Sequence, residues 1–208
     1  PIETSRDYIL GRTVESTLEL LEGESIIIER KVRELQKQLE EVLLRARKIR
    51  ANFKRETDCF EVLELRPRPC YLLQEDAIVE KEIDFVLKKL EKKYENVVHI
   101  IGNQQIGAIL DVSSLRQGIY NHYSSVFIIT DEEEGCETML PGGLYASTIY
   151  RGPYENFARV LPKLLQWIDE AGYETIDGPM ELYIIDEHET NCIEEYRTEV
   201  QIRVEKRR

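Results

Sequence analysis

The residues with the clearest chemical potential lie in one short segment near the end of the chain, Met180-Glu-Leu-Tyr-Ile-Ile-Asp186. This segment predicts a β-strand, in which alternation places Glu181, Tyr183 and Ile185 on one face. A carboxylate among large apolar groups is costly to bury unless it pairs with a base or receives a cation. The segment therefore indicates a structural ion pair with an arginine, a carboxylate in water at the end of a strand, or a site for a cationic ligand.

The following strand, predicted over residues 196–204, extends the same face. Alternation turns Arg197, Glu199 and Arg203 outward and brings Tyr196 toward Glu181. The other inward positions are Thr198, Val200, Ile202 and Val204. We therefore expect Glu181 and Tyr196 to line one concavity.

Tyrosine is the dominant aromatic residue, with 11 tyrosines against 5 phenylalanines and 1 tryptophan. A tyrosine ring offers a flat apolar surface with a polar tip, and its face attracts cations. Alternation puts Tyr145 and Tyr150 on opposite faces of one strand, so only one of them faces the cleft unless a bulge intervenes. The predicted ligand-binding residues are Glu181, Tyr183, Tyr196, Tyr145, Tyr150, Tyr120 and Trp167.

Motifs for catalysis and for metal or phosphate binding are absent from the sequence. It contains no G-x-S-x-G, no phosphate loop, no H-E-x-x-H and no C-x-x-C pair. We therefore expect no enzyme activity, no cofactor and no metal. The alternative is a small hydrolase in which Glu181 is the general base, although neither a nucleophile nor a histidine accompanies Glu181 and Glu194 in sequence.

The formal net charge of −12 limits the partners of the chain. An acidic surface repels phosphate backbones and favours cationic ligands, although many acidic proteins are acidic only for solubility. A further alternative is a module that sequesters a protein partner on this acidic surface. The sequence has no apolar run of membrane-spanning length and no leader, so we expect a cytoplasmic protein without a membrane partner.

A heptad pattern dominates the first quarter of the chain. Apolar residues alternate spacings of four and three, which predicts a helix with one narrow seam for another helix. We interpret the seam as a homodimeric coiled coil over residues 24–55, of either parallel or antiparallel orientation. The alternative is a helix that lies on its own domain. The seam residues are Ile28, Val32, Leu35, Leu39, Val42, Ala46, Ile49 and Phe53.

A separate short helix is predicted before the coiled coil, over residues 13–22. Thr13 caps this helix and Gly23 ends it.

The remainder of the chain predicts one unit that occurs twice. The first copy has strands at 60–65 and 70–74, a helix at 79–94, and a hairpin of strands at 106–112 and 120–130. After an acidic turn at 131–135, the second copy has strands at 138–140 and 144–150, a helix at 154–171, and a hairpin at 180–186 and 196–204. The fold class is thus α+β, a coiled-coil helix followed by two β-β-α-β-β repeats with pseudo-two-fold symmetry.

These motifs together resemble the MerR family of transcription regulators that carry a GyrI-like, multidrug-binding C-terminal domain. The resemblance is carried by Leu63-Glu-Leu-Arg-Pro-Arg-Pro-Cys-Tyr-Leu, Tyr150-Arg-Gly-Pro-Tyr-Glu-Asn-Phe, the Glu181 strand, and Glu194-Glu-Tyr-Arg-Thr-Glu-Val-Gln-Ile-Arg. It implies that residues 1–23 are the residual helix of a DNA-binding domain. Residues 24–55 are then an antiparallel dimerisation helix, and 58–208 an effector-binding domain.

The function implied by this resemblance is the sensing and dimerisation part of a transcription activator that responds to hydrophobic cations. Glu181 stands where drug-sensing members have a buried counter-ion, and Tyr196 stands where a tyrosine lines the same pocket. Gly152 and Asn156 replace two aromatic residues of those sensors. Promoter DNA would be bound by an N-terminal winged helix-turn-helix that is absent or truncated in this chain.

Overall fold

The computed structural model describes residues 13–79, 82–93, 105–130, 136 and 138–207. The chain forms two compact units, Pro1–Ala46 and Arg47–Arg208. The predicted acidic turn at 131–135, Tyr94 at the end of a predicted helix, and residues 1–12 of the predicted DNA-binding remnant lie outside the described residues.

The first element, α1, is a single helix of 40 residues, Val14–Phe53. Thr13 caps it as predicted, because the Ser16 backbone N–H donates to Thr13 Oγ1 at 3.1 Å and Thr13 N–H donates back to Ser16 Oγ at 3.1 Å. The predicted break at Gly23 is wrong. Gly23 does not take the left-handed conformation of a helix-ending glycine, and an interior glycine costs a helix only about 1 kcal/mol.

The heptad seam of α1 is exposed. None of the 40 residues of the helix is buried, and Leu35 and Val42 are 63% and 65% exposed. An apolar stripe of this length is unusual on a free surface, since it leaves a large apolar area in water. In the described part of the chain, no helix combines the length and the apolar composition needed to cross a bilayer.

The described residues after α1 build nine antiparallel strands and three shorter α-helices. The first half comprises β1 (Glu61–Leu65), β2 (Arg68–Val79), α2 (Ile83–Lys93), β3 (Gln105–Leu110), α3 (Val112–Arg116) and β4 (His122–Ile129). The second comprises β5 (Thr138–Leu140), β6 (Gly143–Arg151), α4 (Phe157–Glu170), β7 (Tyr173–Thr175), β8 (Met180–Ile185) and β9 (Arg197–Lys206). Short 3-10 turns, Tyr154–Asn156 and Ile193–Glu195, precede α4 and β9.

The strand order confirms the α+β class and the twofold repeat. The order is β1-β6-β9-β8-β3-β4-β2-β5, with β7 added beside β9. Exchanging the halves (β1 with β5, β2 with β6, β3 with β8, β4 with β9) gives the same order read from the other end, so the pseudo-twofold axis passes between β8 and β3. Each repeat does not close on itself, because β1 pairs with β6 and β5 pairs with β2. The halves are thus joined at both ends as well as at the centre.

The two faces of the sheet are covered differently. One face packs against α2 and α4, whose apolar residues Ile83, Val86, Leu90, Phe157 and Leu164 belong to the larger core. We call this the helix face. The opposite face carries a smaller cluster of strand residues: Cys70, Phe127, Leu140, Tyr145, Met180 and Leu182. Both helices are thus amphipathic and bury their apolar sides against the sheet.

Two charged residues on the outward side of β9 are buried. Arg197 and Glu199 do point away from the helix face, but they are buried, at 7% and 3% exposure. Glu199 accepts hydrogen bonds from Ser147 Oγ at 2.7 Å and from Arg55 at 2.8 Å. The predicted outward face is therefore correct for both residues, and hydrogen-bond partners take the place of solvent around Glu199.

Gly107 on β3 lies where the sheet leaves no room for a side chain. A Cβ on Gly107 would lie 2.4 Å from the Phe127 ring and 2.5 Å from the backbone oxygen of Glu181. We expect Gly107→Ala to destabilise the sheet by about 1–3 kcal/mol through overpacking. Urea denaturation followed by Trp167 fluorescence measures this loss. Gly23→Ala is the matched control, because nothing lies within 4 Å of its added methyl. Equal stability of the two variants would contradict this reading.

Candidate ligand site

Glu181 lies at the centre of the sheet on the helix face. Its register partners are Ala108 on β3 and Val200 on β9, and all three residues are 0% exposed. Directly opposed residues of antiparallel strands share a face, so two apolar side chains flank the carboxylate. The sequence predicted this face correctly for Glu181 and Val200.

Two tyrosine hydroxyls hold the Glu181 carboxylate. Tyr123 donates to Oε2 at 2.6 Å and Tyr150 donates to Oε1 at 2.6 Å. These lengths lie in the range of hydrogen bonds from hydroxyls to charged carboxylates. Burial, and then the nearby charge of Glu181, raise the pKa of both phenols well above the usual value, so both stay protonated as donors. The carboxylate is therefore oriented by neutral groups.

A β-bulge brings Tyr123 to the helix face. Strict alternation from Val126 would place Tyr123 on the opposite face, but the β3–β4 register shifts between Ile109 and Leu110. Ser124 is the extra residue, and its hydroxyl donates to the Ile109 carbonyl at 3.3 Å. Tyr123 was not among the predicted site residues, and the alternation of the sequence carries no signature of this bulge.

Beside the carboxylate lies a cluster of three tyrosine rings, Tyr183, Tyr154 and Tyr196. The Tyr154 ring centroid is 5.4 Å from that of Tyr183 and 5.6 Å from that of Tyr196. All three are partly exposed, whereas Glu181 is fully buried. The partly exposed rings thus lie on the solvent side of the site, and the carboxylate lies at its buried end. Tyr154 was not predicted, although it lies in the quoted segment between β6 and α4.

Further negative charge surrounds the ring cluster. Burial, followed by the charges of Asp186 and Glu187 among others, raises the pKa of Tyr154, and burial followed by the same two charges raises the pKa of Tyr196. The potential at the rings is accordingly negative, which favours cations over anions. Among the described residues, no group of three metal-ligating side chains could hold a metal ion.

Three predicted site residues lie elsewhere. Tyr145 belongs to the cluster on the opposite face and donates to the Pro141 carbonyl at 2.6 Å, so alternation correctly separated it from Tyr150. Tyr120 packs edge-on against Phe157 at 6.3 Å, and Trp167 packs against Phe60 at 5.8 Å. These three side chains form core contacts and do not belong to the cluster of Tyr154, Tyr183 and Tyr196.

Gly152 and Asn156, which stand where drug sensors of the resembling family have aromatic residues, form a turn. Gly152 has φ +92°, a conformation that glycine adopts readily and other residues rarely adopt. Asn156 Nδ2 donates to the carbonyl of Arg151 at 2.9 Å. Both therefore shape the connection between β6 and α4, which carries Tyr154.

A curled antiparallel sheet with a buried carboxylate and tyrosine rings beneath two helices defines the class of small-molecule-binding domains. The family described as GyrI-like small molecule binding domains matches residues 76–205. The chain belongs to this GyrI-like family. No curated protein matches the chain.

Solved structures with a similar fold include EcmrR. A cryo-EM structure of an EcmrR–DNA complex has a TM-score of 0.57 and 20% identity, covering 98% of this chain and 81% of that one. The crystal structure of the EcmrR C-terminal domain has a TM-score of 0.56 and 19% identity, covering 71% and 98%. A hydrolase from Listeria innocua has a TM-score of 0.48 and 10% identity, covering 76% and 98%. At 19–20% identity, the likeness to the two EcmrR structures shows the fold.

The hydroxyls of Tyr123 and Tyr150 should stabilise the folded protein. We expect Tyr123→Phe and Tyr150→Phe each to lower the free energy of unfolding by about 1.5–3 kcal/mol, because each leaves a buried charged acceptor short of a donor. Tyr145→Phe is the control, with an expected loss of about 0.5–1.5 kcal/mol, since its acceptor is a neutral carbonyl. Chemical denaturation at pH 7 compares the three. A smaller loss in the first two variants than in the control would rule out a charged, hydroxyl-held Glu181.

Proposed function

We propose that this chain is the sensing and dimerisation part of a MerR-family transcription activator, and that its ligands are flat, hydrophobic cations. The observation that carries the proposal is Glu181, a fully buried carboxylate held by two neutral hydroxyls beside three tyrosine rings. A cation among these groups gains from both the carboxylate and the ring faces.

The energetics favour a cation with an apolar body. The hydroxyls of Tyr123 and Tyr150 are neutral donors, and a ligand cation would add positive charge beside the Glu181 carboxylate. A cation within reach of a ring face gains about 0.5–2 kcal/mol per ring, depending on desolvation. The rings of Tyr154, Tyr183 and Tyr196 also bury apolar surface of a flat ligand. The carboxylates Asp186 and Glu187 near these rings disfavour an anion.

Replacing the carboxylate tests the ligand class. We expect Glu181→Gln to weaken the binding of a cationic dye such as rhodamine 6G by well over tenfold, because about 1.4 kcal/mol corresponds to each decade and a buried charge contributes more. Fluorescence titration measures the affinity. Glu199→Gln is the matched control, since Glu199 is equally a buried glutamate of the sheet but lies on the opposite face. Equal affinities of the Glu181 variant and the wild type would overturn the proposal.

The fate of the bound ligand distinguishes binding from catalysis. A hydrolase with Glu181 as general base would convert an electrophilic ligand, and a sequestering module would bind a protein without binding the dye. We propose binding without turnover, so mass spectrometry after incubation should recover the ligand unchanged. Turnover that is lost in Glu181→Gln would favour the hydrolase instead.

We further propose that α1 forms a homodimer along its seam. The exposed apolar positions recur in the a and d pattern of a coiled coil, and charged residues occupy most of the positions between them. Only a partner helix buries such a stripe along its whole length. Dimerisation brings two ligand domains and any attached DNA-binding domains into one assembly.

Charges in the seam test this dimer. We expect the double variant Leu35→Asp, Val42→Asp to weaken dimerisation at least a hundredfold, since each buried charge costs several kcal/mol and about 1.4 kcal/mol is a decade. Sedimentation equilibrium measures the change. Leu44→Asp is the control, because Leu44 is 42% exposed and lies on the side of α1 away from the seam. A dimer of unchanged affinity in the double variant would exclude this interface.

We also propose that the protein regulates transcription and is located in the cytoplasm. EcmrR, which shares the fold over most of this chain, has been solved in a complex with DNA. We propose that promoter DNA is bound through an N-terminal domain, and that ligand binding shifts a two-state equilibrium through unequal affinity for the two states. The four cysteines are free thiols, as expected in a reducing compartment.

A further inference from the structure

The segment that follows α1 is anchored to the sheet. We call residues 53–58 the junction, because they connect the last turn of α1 to β1. The Arg55 guanidinium binds the Glu199 carboxylate on β9 at 2.8 Å, and the centroid of the Phe53 ring lies 5.2 Å from the Arg197 guanidinium. Arg197 and Glu199 point away from the helix face, so the junction is attached to β9 on the side away from the ligand site.

Residue order on β9 brings this attachment close to the ligand site. Glu199 lies between Thr198 and Val200, which point to the helix face, and Val200 is the register partner of Glu181. Successive residues of a strand share one hydrogen-bonded backbone. A change in the order of β9 at this point therefore affects both the ligand site and the partner of Arg55.

Strand β6 has a similar arrangement. Its Tyr150 donates to Glu181 on the helix face, and the preceding residue, Ile149, accepts a hydrogen bond from the Asp58 backbone N–H at 2.7 Å. Ile149 is also the register partner of Glu199. Strands β6 and β9 thus contact both the ligand site and the junction.

The pair of Arg55 and Glu199 is the charged part of the attachment. The Glu199 side chain is 4% exposed and also accepts hydrogen bonds from two neutral donors, Ser147 at 2.7 Å and Gln201 at 2.9 Å. Arg55 supplies positive charge from a side chain that is 35% exposed, and its other terminal nitrogen lies 3.9 Å from the exposed Glu61 carboxylate. An ion pair with one buried member depends on the position of that member, because screening by water is weak there. The order of Arg55 therefore follows the order of β9.

We propose that the ion pair of Arg55 and Glu199 couples the ligand site to α1, so that a bound cation orders the junction through β9. This inference rests on the proposed function, because it assumes that a cation binds beside Glu181. A ligand that binds the folded sheet suppresses local opening of the strands that it contacts. The ordered β9 holds Glu199 in place, and Glu199 holds Arg55 and the chain next to the last turn of α1. Arg55 is a positioning residue that does not touch the ligand.

Hydrogen exchange with and without a ligand tests the coupling. The whole chain is measured by mass spectrometry in the presence and absence of saturating rhodamine 6G. We expect the dye to slow exchange of the amides of residues 53–58 at least about fivefold in the wild type, the lower range of allosteric couplings, and less than about twofold in Arg55→Met. Arg55→Lys keeps the charge and should retain most of the slowing. The matched control is Arg50→Met, because Arg50 is an exposed arginine in the last turn of α1 and should keep the wild-type response.

The ratio of the two exchange rates separates coupling from a merely structural role. A structural ion pair would change exchange equally with and without the dye, so its loss would leave the ratio at the wild-type value. Arg55→Met also leaves the buried Glu199 without its cation, which destabilises the protein. The double variant Arg55→Met, Glu199→Gln removes both charges and avoids this cost. We expect its ratio to stay below about twofold as well, and a wild-type ratio in either variant would overturn the proposal.

Dye affinity separates this inference from the proposed function. Coupling is reciprocal, so Arg55→Met should weaken dye binding by no more than the factor by which the dye orders the junction, whereas Glu181→Gln should weaken it well over tenfold. If the dye binds and Glu181→Gln abolishes binding, but the junction of the wild type shows no slowing, cation binding stands and the coupling falls. If rhodamine 6G does not bind, or binds Glu181→Gln equally well, the proposed function falls and the coupling falls with it.

Discussion

The carboxylate of Glu181, held by the hydroxyls of Tyr123 and Tyr150, is the interaction on which the architecture of the site depends. Tyr123 comes from β4 of the first repeat and Tyr150 from β6 of the second, while Glu181 lies on β8 between them. Each tyrosine reaches across one intervening strand, so a single carboxylate connects five consecutive strands. A charge at this depth is tolerable only with such donors, and the donors are positioned only by the sheet.

The pseudo-twofold makes the site possible but does not duplicate it. On β3, the strand related to β8 by the exchange of halves, the residues on the helix face include Ile106 and Ala108, which are apolar. A second carboxylate in this position would repel Glu181 across the axis with little solvent to screen it. The sheet is therefore symmetric in its strands, but the site is not, because only the second half contributes a carboxylate.

The sequence predicted well those features that follow from periodicity. The helical conformation of residues 24–53 and the faces of Glu181 and Val200 depend on repeats of 3.5 and 2 residues. The features that the sequence did not predict arise where one residue breaks the period or where a partner is distant in sequence. A bulge at Ser124 turns Tyr123 to the helix face, α1 continues through Gly23, and Arg55 and Ser147 bind the buried Glu199. None of these contacts is visible in a local pattern.

Strand β9 places the site and the end of α1 on two faces of one backbone. Thr198 and Val200 border Glu181 on the helix face, while Glu199 between them binds Arg55 on the other face at 2.8 Å. The Arg197 guanidinium likewise lies 5.2 Å from the centroid of the Phe53 ring, in the last turn of α1. Successive residues of a strand cannot move independently, because they share a hydrogen-bonded backbone. In the proposed sensor, a shift of β9 at the ligand site therefore also moves Glu199 and the Arg55 side chain that binds it, just after the last turn of α1.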